Sequence, residues 1–241
     1  MKTRKISRLT TQRLSLYLRC LGQLREAGVL TVSSRELAER FHLNSAQIRK
    51  DLAHFGEFGV RGVGYGVAEL RRQLVGILGL HRRYNVLIVG AGHLGLALAG
   101  YREFYTEGFR IAALVDASQE RVRELKGTDP PVYSTRHLAR LVRSRRINIA
   151  ILAVPAAAGQ PALESVYDAG VRAVLNFVPV RLKVPEDCEV VTVDLKIQLE
   201  SLAFNLARAS VRPRRGERTS SSAGTRRREA ARPESPRRKS R

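Results

Sequence analysis

Gly90-Ala91-Gly92-His93-Leu94-Gly95 follows the apolar run Val86-Leu87-Ile88-Val89 and opens a helix-like stretch, Leu94 to Ala99. Asp116 ends the next apolar run, Ile111 to Val115. Strand, glycine turn, helix start and a carboxylate about 20 residues on together form a dinucleotide-binding unit, a far stronger signal than the glycines alone. Gly90 allows the turn, Gly92 lets the backbone approach a pyrophosphate, and Gly95 lets the helix pack on the strand. Ala91, His93 and Leu94 complete the turn, and the helix N-terminus offers N–H groups and a positive dipole end to phosphate.

Downstream, the chain alternates as α/β units do. Helical patterns occupy 117–126, 134–143 and 157–169, and strand-like runs cover Ile147 to Val154, Val171 to Leu175 and Glu189 to Val193. Asp116 is placed to bond the adenosine ribose hydroxyls and to repel a 2′-phosphate, which favours NAD(H) over NADP(H). It can also cap the helix that Ala117 opens, and the two roles are compatible. Val154-Pro155 and Asn176-Phe177 close two strands on the carboxyl edge of the sheet, where ligands bind in such folds. Pro155 serves equally well as a simple strand stop. No His, carboxylate or Lys falls into an acid–base arrangement, so no catalytic residue is assigned.

The net charge of +21 is unevenly placed. Residues 1–84 hold 16 Lys/Arg against 6 Asp/Glu, residues 85–211 hold 15 against 13, and residues 212–241 hold 12 against 3. A near-neutral centre between basic ends suggests a polyanion partner at the ends and a small ligand in the middle. An acidic membrane surface would suit the charge equally, but no apolar stretch reaches the roughly 20 residues that span a bilayer. No secretory signal is evident. Cys20 and Cys188 lie far apart without metal-ligand spacing, which fits packed thiols in a reduced cytoplasmic protein and no metal site.

Leu14, Tyr17, Leu18, Leu21 and Leu24 recur at helical spacing and Gly28 stops them. Ser33 to Glu36 is a capping box leading a second helix, and a box from Asn44 to Gln47 leads a third. That third helix sets Ile48, Leu52 and Phe55 on one face. The other carries Ala46, Lys50 and Ala53, flanked by Gln47, Arg49 and His54. Small residues beside long donors let a helix sit deep in a major groove. The glycine-rich segment Gly56 to Gly66 suits a β-hairpin wing bringing Arg61 to phosphate. A small helical domain with a merely solvated basic face is the bland alternative. Val67 to Leu80 is a further amphipathic helix ending at Gly79, and the domain boundary falls near 81–84. The final helix, Leu195 to Arg208, has Leu195, Leu199, Leu202 and Leu206 on one side and Ile197 and Phe204 opposite. Two stripes imply enclosure, either between protomers or deep in its own domain. From Arg212 onward the composition is that of a disordered basic tail, either attracted to DNA or simply solvated.

Taken together, the chain resembles the Rex family of redox-sensing transcriptional repressors from about Leu14 to Leu206. The resemblance rests on Val32-Ser33-Ser34, Gln47-Ile48-Arg49-Lys50-Asp51-Leu52, Phe55-Gly56 and Arg61-Gly62-Val63-Gly64-Tyr65. It continues through the Gly90–Gly95 turn, Val154-Pro155, Gln160, Asn176-Phe177-Val178-Pro179, Leu182, Val184-Pro185 and Val193-Asp194. It implies an α/β protein with an N-terminal winged helix-turn-helix domain (1–80), a Rossmann-like doubly wound NAD(H) domain (84–193) and a swapped dimerisation helix (194–210), while the basic tail (211–241) lies outside the resemblance. It also implies a cytoplasmic homodimer that represses from inverted-repeat operator DNA and is released by NADH, with NAD⁺ less effective. Ser33, Ser45, Gly62, Gly64 and Tyr65 join the expected DNA-contacting set. Arg19, Tyr101 and Asp194 match a switch in which the aspartate exchanges partners between tyrosine and arginine. Tyr101-Arg102-Glu103-Phe104 departs from the usual Tyr-x-Gly-Phe, and Leu195 stands where some members carry an aromatic. An NAD-dependent dehydrogenase with an accessory basic domain is the rival from another class, and a CoA-binding subunit is a third reading.

Overall fold

The computed structural model describes residues 6–60, 62–106 and 108–210, with residues 209 and 210 described by backbone only. Arg61 of the expected wing and the expected tail from 211 lie outside the described residues. The backbone divides into one unit ending at Asp194 and a second beginning at Leu195.

The first unit opens with α1 (Arg8–Glu26), whose N-cap Ser7 accepts from the Thr10 N–H. Gly28 ends it in the left-handed region at φ 73°. β1 (Thr31–Val32) leads into α2 (Ser34–Phe41), which starts on the expected reciprocal box between Ser33 and Glu36. α3 (Ser45–Ala53) follows. Only half of its expected box is as read: Asn44 Oδ1 accepts from the Gln47 N–H at 2.9 Å, while the Gln47 side chain runs down the helix instead. β2 (Tyr65–Gly66) pairs antiparallel with β1, and α4 (Val67–Ile77) closes the segment. Among the described residues the expected hairpin is reduced to one bridge, Val60 to Gly64. Leu14, Tyr17, Leu21, Leu37, Ile48, Leu52, Leu70 and Leu74 form one buried core, so α1, α2, α3 and α4 share a single apolar centre.

Beyond it run β3 (Tyr84–Val89), α5 (His93–Ala99), β4 (Phe109–Asp116), α6 (Gln119–Glu124), β5 (Val132–Ser134), α7 (Leu138–Ser144), β6 (Ile147–Leu152), α8 (Gly159–Asp168), β7 (Ala173–Asn176) and β8 (Glu189–Thr192). The strands form one parallel sheet in the order β5-β4-β3-β6-β7-β8. Side chains alternate between its faces. Leu87, Val89, Leu152 and Leu163 pack with Leu138 and Leu141 on one. Val86, Ile88, Ile151 and Leu114 pack with Ala99, Val122 and Leu125 on the other. Helices on both faces make the sheet doubly wound. The strand order reverses between β3 and β6, so the crevice outside their carboxyl ends is the topological switch point. Sequence reading missed β5, and the pattern read as a helix from 134 begins one residue after that strand ends.

The second unit is α9 (Leu195–Ser210). Both of its apolar stripes are exposed in the single chain: Leu199 66 %, Leu206 72 % and Phe204 61 %. Among the described residues no helix is long and apolar enough to cross a membrane.

Candidate functional site

At the switch point the glycine turn is fixed by sterics. Gly90 has φ 103°, and a Cβ on it would lie 2.3 Å from the Ala153 carbonyl oxygen, so it must be glycine to sit against the end of β6. Its N–H donates to Val115 O at 2.8 Å, and the Ala153 N–H donates to Val89 O at 2.8 Å. Thus Gly90 and Val154 come together: the same imagined Cβ would meet Val154 Cγ1 at 3.1 Å. A Cβ on Gly95 would lie 1.9 Å from Gly90 O, which is how closely α5 lies on the turn. A Cβ on Gly92 would meet nothing within 4 Å. Gly92 is therefore the open face of the turn, and α5 begins immediately after it without a side-chain cap.

Asp116, at the carboxyl end of β4, closes the turn from the side. Its Oδ2 accepts from the Ala91 N–H at 2.7 Å and its Oδ1 from the Ser118 N–H at 2.8 Å. The expected helix cap at Asp116 is not formed, because α6 begins at Gln119 and Ser118 caps it; Asp116 instead holds the turn, a role that sequence reading did not anticipate. Each carboxylate oxygen keeps a further lone pair for a hydroxyl donor.

On the same sheet edge Pro155 is exposed and caps a short 3-10 turn, Ala156–Ala158. Asn176 is fully buried. Its Oδ1 accepts from the Val178 N–H at 3.0 Å, and its Nδ2 donates to Val178 O and Thr192 Oγ1. Its side chain braces the turn into Phe177, which is partly buried against the core that includes Ile88 and Ala99. Tyr101 is half exposed and meets the Phe104 ring edge-on at 5.1 Å. Arg19 is exposed on α1, and Asp194 is the partly buried last residue of the first unit.

In the N-terminal segment, Ala46, Arg49, Lys50, Ala53 and His54 are exposed on α3, and Gln47 and Ser45 are half-buried. Arg49 Nη1 donates to Ser34 Oγ at 2.9 Å, tying the outer face of α3 to the start of α2. Ser33 is engaged as an N-cap. Gly62 is open, whereas a Cβ on Gly64 would lie 2.6 Å from Val32 O, so Gly64 lets the wing lie on β1. Tyr65 is half-buried beside it, and burial pushes its phenol up.

Sequence reading also missed a buried charge. Asp51 of α3 is 1 % exposed. Its Oδ2 accepts from Arg13 Nε at 2.5 Å and Tyr17 Oη at 3.0 Å, and its Oδ1 from Arg13 Nη2 at 2.8 Å and Gln47 Nε2 at 2.7 Å. The signal was present as Arg13, Tyr17 and Asp51 on apolar helix faces. The bonds from Arg13 foremost hold the Asp51 carboxyl below the usual range, against the upward push of burial. A depressed pKa contributes stability above the unfolded value, about 3.9, and loses it as pH falls through the folded value. Asp51→Asn should therefore cost about 3 kcal/mol at pH 7. The gap in urea midpoint from the unsubstituted chain should start to narrow as pH falls towards about 4 and go on narrowing at lower pH, as the depressed Asp51 carboxyl takes up its proton. Parallel curves would contradict this.

Cys20 and Cys188 are both buried, and burial raises both thiols. Among the described residues no group of His, Cys, Asp and Glu could hold a metal ion.

Comparison with known proteins extends the geometry. Residues 5–53 match the family model described as putative DNA-binding protein N-terminus, and residues 81–180 match that of the CoA binding domain. The redox-sensing transcriptional repressor Rex of Desulforamulus reducens is 46 % identical over 207 residues, covering 86 % of this chain and 98 % of that one. The crystal structure of RSP with β-NAD⁺ and operator DNA has a TM-score of 0.80 at 36 % identity, covering 86 % of this chain and 95 % of that one. RSP with β-NADH scores 0.75 at 33 % identity, covering 86 % and 97 %. The chain belongs to the Rex family of redox-sensing transcriptional repressors.

Proposed function

We propose that this chain is a DNA-binding repressor that reads the NADH/NAD⁺ state and leaves its operator when NADH binds. The observation carrying this reading is the open face at Gly92, on a turn braced by Asp116, in the same chain as a helix-turn-helix with Arg49 and Lys50 outward. The residues fit a dinucleotide. Gly90 to Gly95 would hold the pyrophosphate, Asp116 the ribose, and Val154, Pro155 and Phe177 the edge of the site. When bound, the dinucleotide supplies a signal through the redox state of its ring. The rest is linkage: a ligand that prefers one protein state shifts the equilibrium by its differential affinity, and DNA binding responds reciprocally.

The repressor acts as a homodimer in the cytoplasm. The exposed apolar stripes of α9 support exchange of that helix between protomers, and two recognition helices suit an inverted repeat. Domain limits of 1–80, 84–193, 194–210 and 211–241 follow from this assignment. Arg19, Tyr101 and Asp194 form its switch. A gel shift on an inverted-repeat operator, titrated with NADH at fixed NAD⁺, tests the function. A complex insensitive to NADH would overturn it.

The relatives are named as repressors, which makes this chain a regulator. Turnover of NADH with small carbonyl substrates would instead favour a dehydrogenase. The CoA-domain match calls for a competition assay, in which CoA should fail to displace NADH.

Two substitutions probe the two sites. Asp116→Ala should weaken NADH binding by about tenfold or more, since it removes charge-assisted bonds to ribose and the brace on Ala91. It should also relax discrimination against NADPH, which fluorescence titration of both cofactors reads directly. Lys50→Ala should weaken binding to all DNA sequences alike and lower the salt slope by about one, leaving NADH affinity unchanged. An unaltered slope would remove Lys50 from the phosphate contacts.

A further inference from the structure

We propose that Gln47 reads no base: it is a positioning residue that, with Arg13 and Tyr17, fixes the rotation of α3 through the Asp51 carboxylate. This rests on the DNA-binding reading above. The donors to Asp51 come from two helices, Arg13 and Tyr17 of α1 and Gln47 of α3 itself. Asp51 is 1 % exposed, so a donor lost there leaves a buried charge short of a partner that water cannot replace. Turning α3 about its axis would draw Asp51 away from Arg13 and Tyr17, so the carboxylate sets which residues face outward.

The consequence for Gln47 follows from its amide chemistry. Glutamine recognises adenine with both amide atoms, donating from nitrogen and accepting at oxygen. Here Nε2 is spent on Asp51 Oδ1 at 2.7 Å. Reaching a base would exchange a charge-assisted bond to a buried carboxylate for a neutral bond worth about half as much. The half-burial of Gln47, against the exposure of Ala46, Arg49, Lys50 and Ala53, agrees. The face left for DNA is the Ala46, Lys50, Ala53 strip with Arg49 and His54 beside it.

The experiment compares the full chain with Gln47→Ala and Tyr17→Phe, each of which removes one bond and keeps the Arg13–Asp51 pair. Affinity is measured for the operator, for operators changed one base pair at a time, and for unrelated duplex, well below each melting temperature. Both variants should lose roughly tenfold on the operator. Binding to unrelated duplex, which phosphates govern, should change by less than about twofold. The lost discrimination should be shared among several base pairs. If Gln47→Ala erases the preference at one base pair and Tyr17→Phe does not, Gln47 is a base reader and the inference is overturned. It is equally overturned if melting temperatures fall while operator affinity is unchanged, because the network then only stabilises the domain. If the unsubstituted chain binds no inverted repeat, the DNA-binding reading fails, and this inference with it.

Discussion

Gly92→Val is expected to yield a chain that folds normally, binds operator and no longer responds to NADH. The new side chain meets no protein atom, since a Cβ at Gly92 has nothing within 4 Å, and the backbone there is extended (φ −74°, ψ −173°), which valine tolerates. Melting temperature should therefore stay within a few degrees of the unsubstituted value, about what a surface change allows. The side chain would instead stand where the pyrophosphate must approach the N–H groups at the head of α5. Losing several charge-assisted bonds at once should cost about 100-fold or more in NADH affinity. Fluorescence titration and gel shift read the two halves separately. Release of operator by NADH at unsubstituted concentrations would mean that the ligand lies elsewhere.

Gly95→Ala, three residues on and a smaller change, should fail in the opposite way. Its Cβ would lie 1.9 Å from the Gly90 carbonyl oxygen and 3.5 Å from Ile88 Cγ2. Gly90 has little room of its own, since a Cβ there would lie 2.3 Å from the Ala153 carbonyl oxygen. The start of α5 must lift or the end of β3 must bend, at about 3 kcal/mol or more. Denaturant unfolding of the full chain measures this, and a loss below about 1 kcal/mol would show that the turn relaxes easily. Sequence reading divides the motif in the same way, Gly92 for the ligand and Gly95 for packing, and the crowding at Gly95 beside the open space at Gly92 agrees with it.

That contrast explains what could be read from the sequence. Periodicity revealed β3, β4 and the helices because each buries a stripe or a run long enough to repeat, as Leu87, Val89 and Leu141 do. β5 was not legible: three residues behind two prolines carry no period, and only pairing with β4 makes Val132–Ser134 a strand. Side-chain direction was the second gap. Asn176 and Gly64 stand where sequence reading expects contacts to ligand and DNA, yet one side chain turns into the core and the other's missing Cβ lets the chain lie on β1. Gln47 likewise sits on the flank that sequence assigns to DNA, and its partner is the carboxylate one turn away. Spacing gives the face of a helix but not which polar neighbour claims an amide.

The burial of the chain's two cysteines separates two quantities that a cell can vary independently, reducing-equivalent supply and oxidant load. Attack on peroxide requires an accessible thiolate, and Cys20 and Cys188 are both buried, with their thiols pushed up by that burial. They also lie in different segments of the chain, one in the helical core around Leu14 and Leu52 and the other under the sheet. A burst of peroxide thus finds no exposed cysteine thiol with which to mimic or mask a change in the nicotinamide pool. The chain's answer to electron excess is insulated from damage chemistry by packing alone.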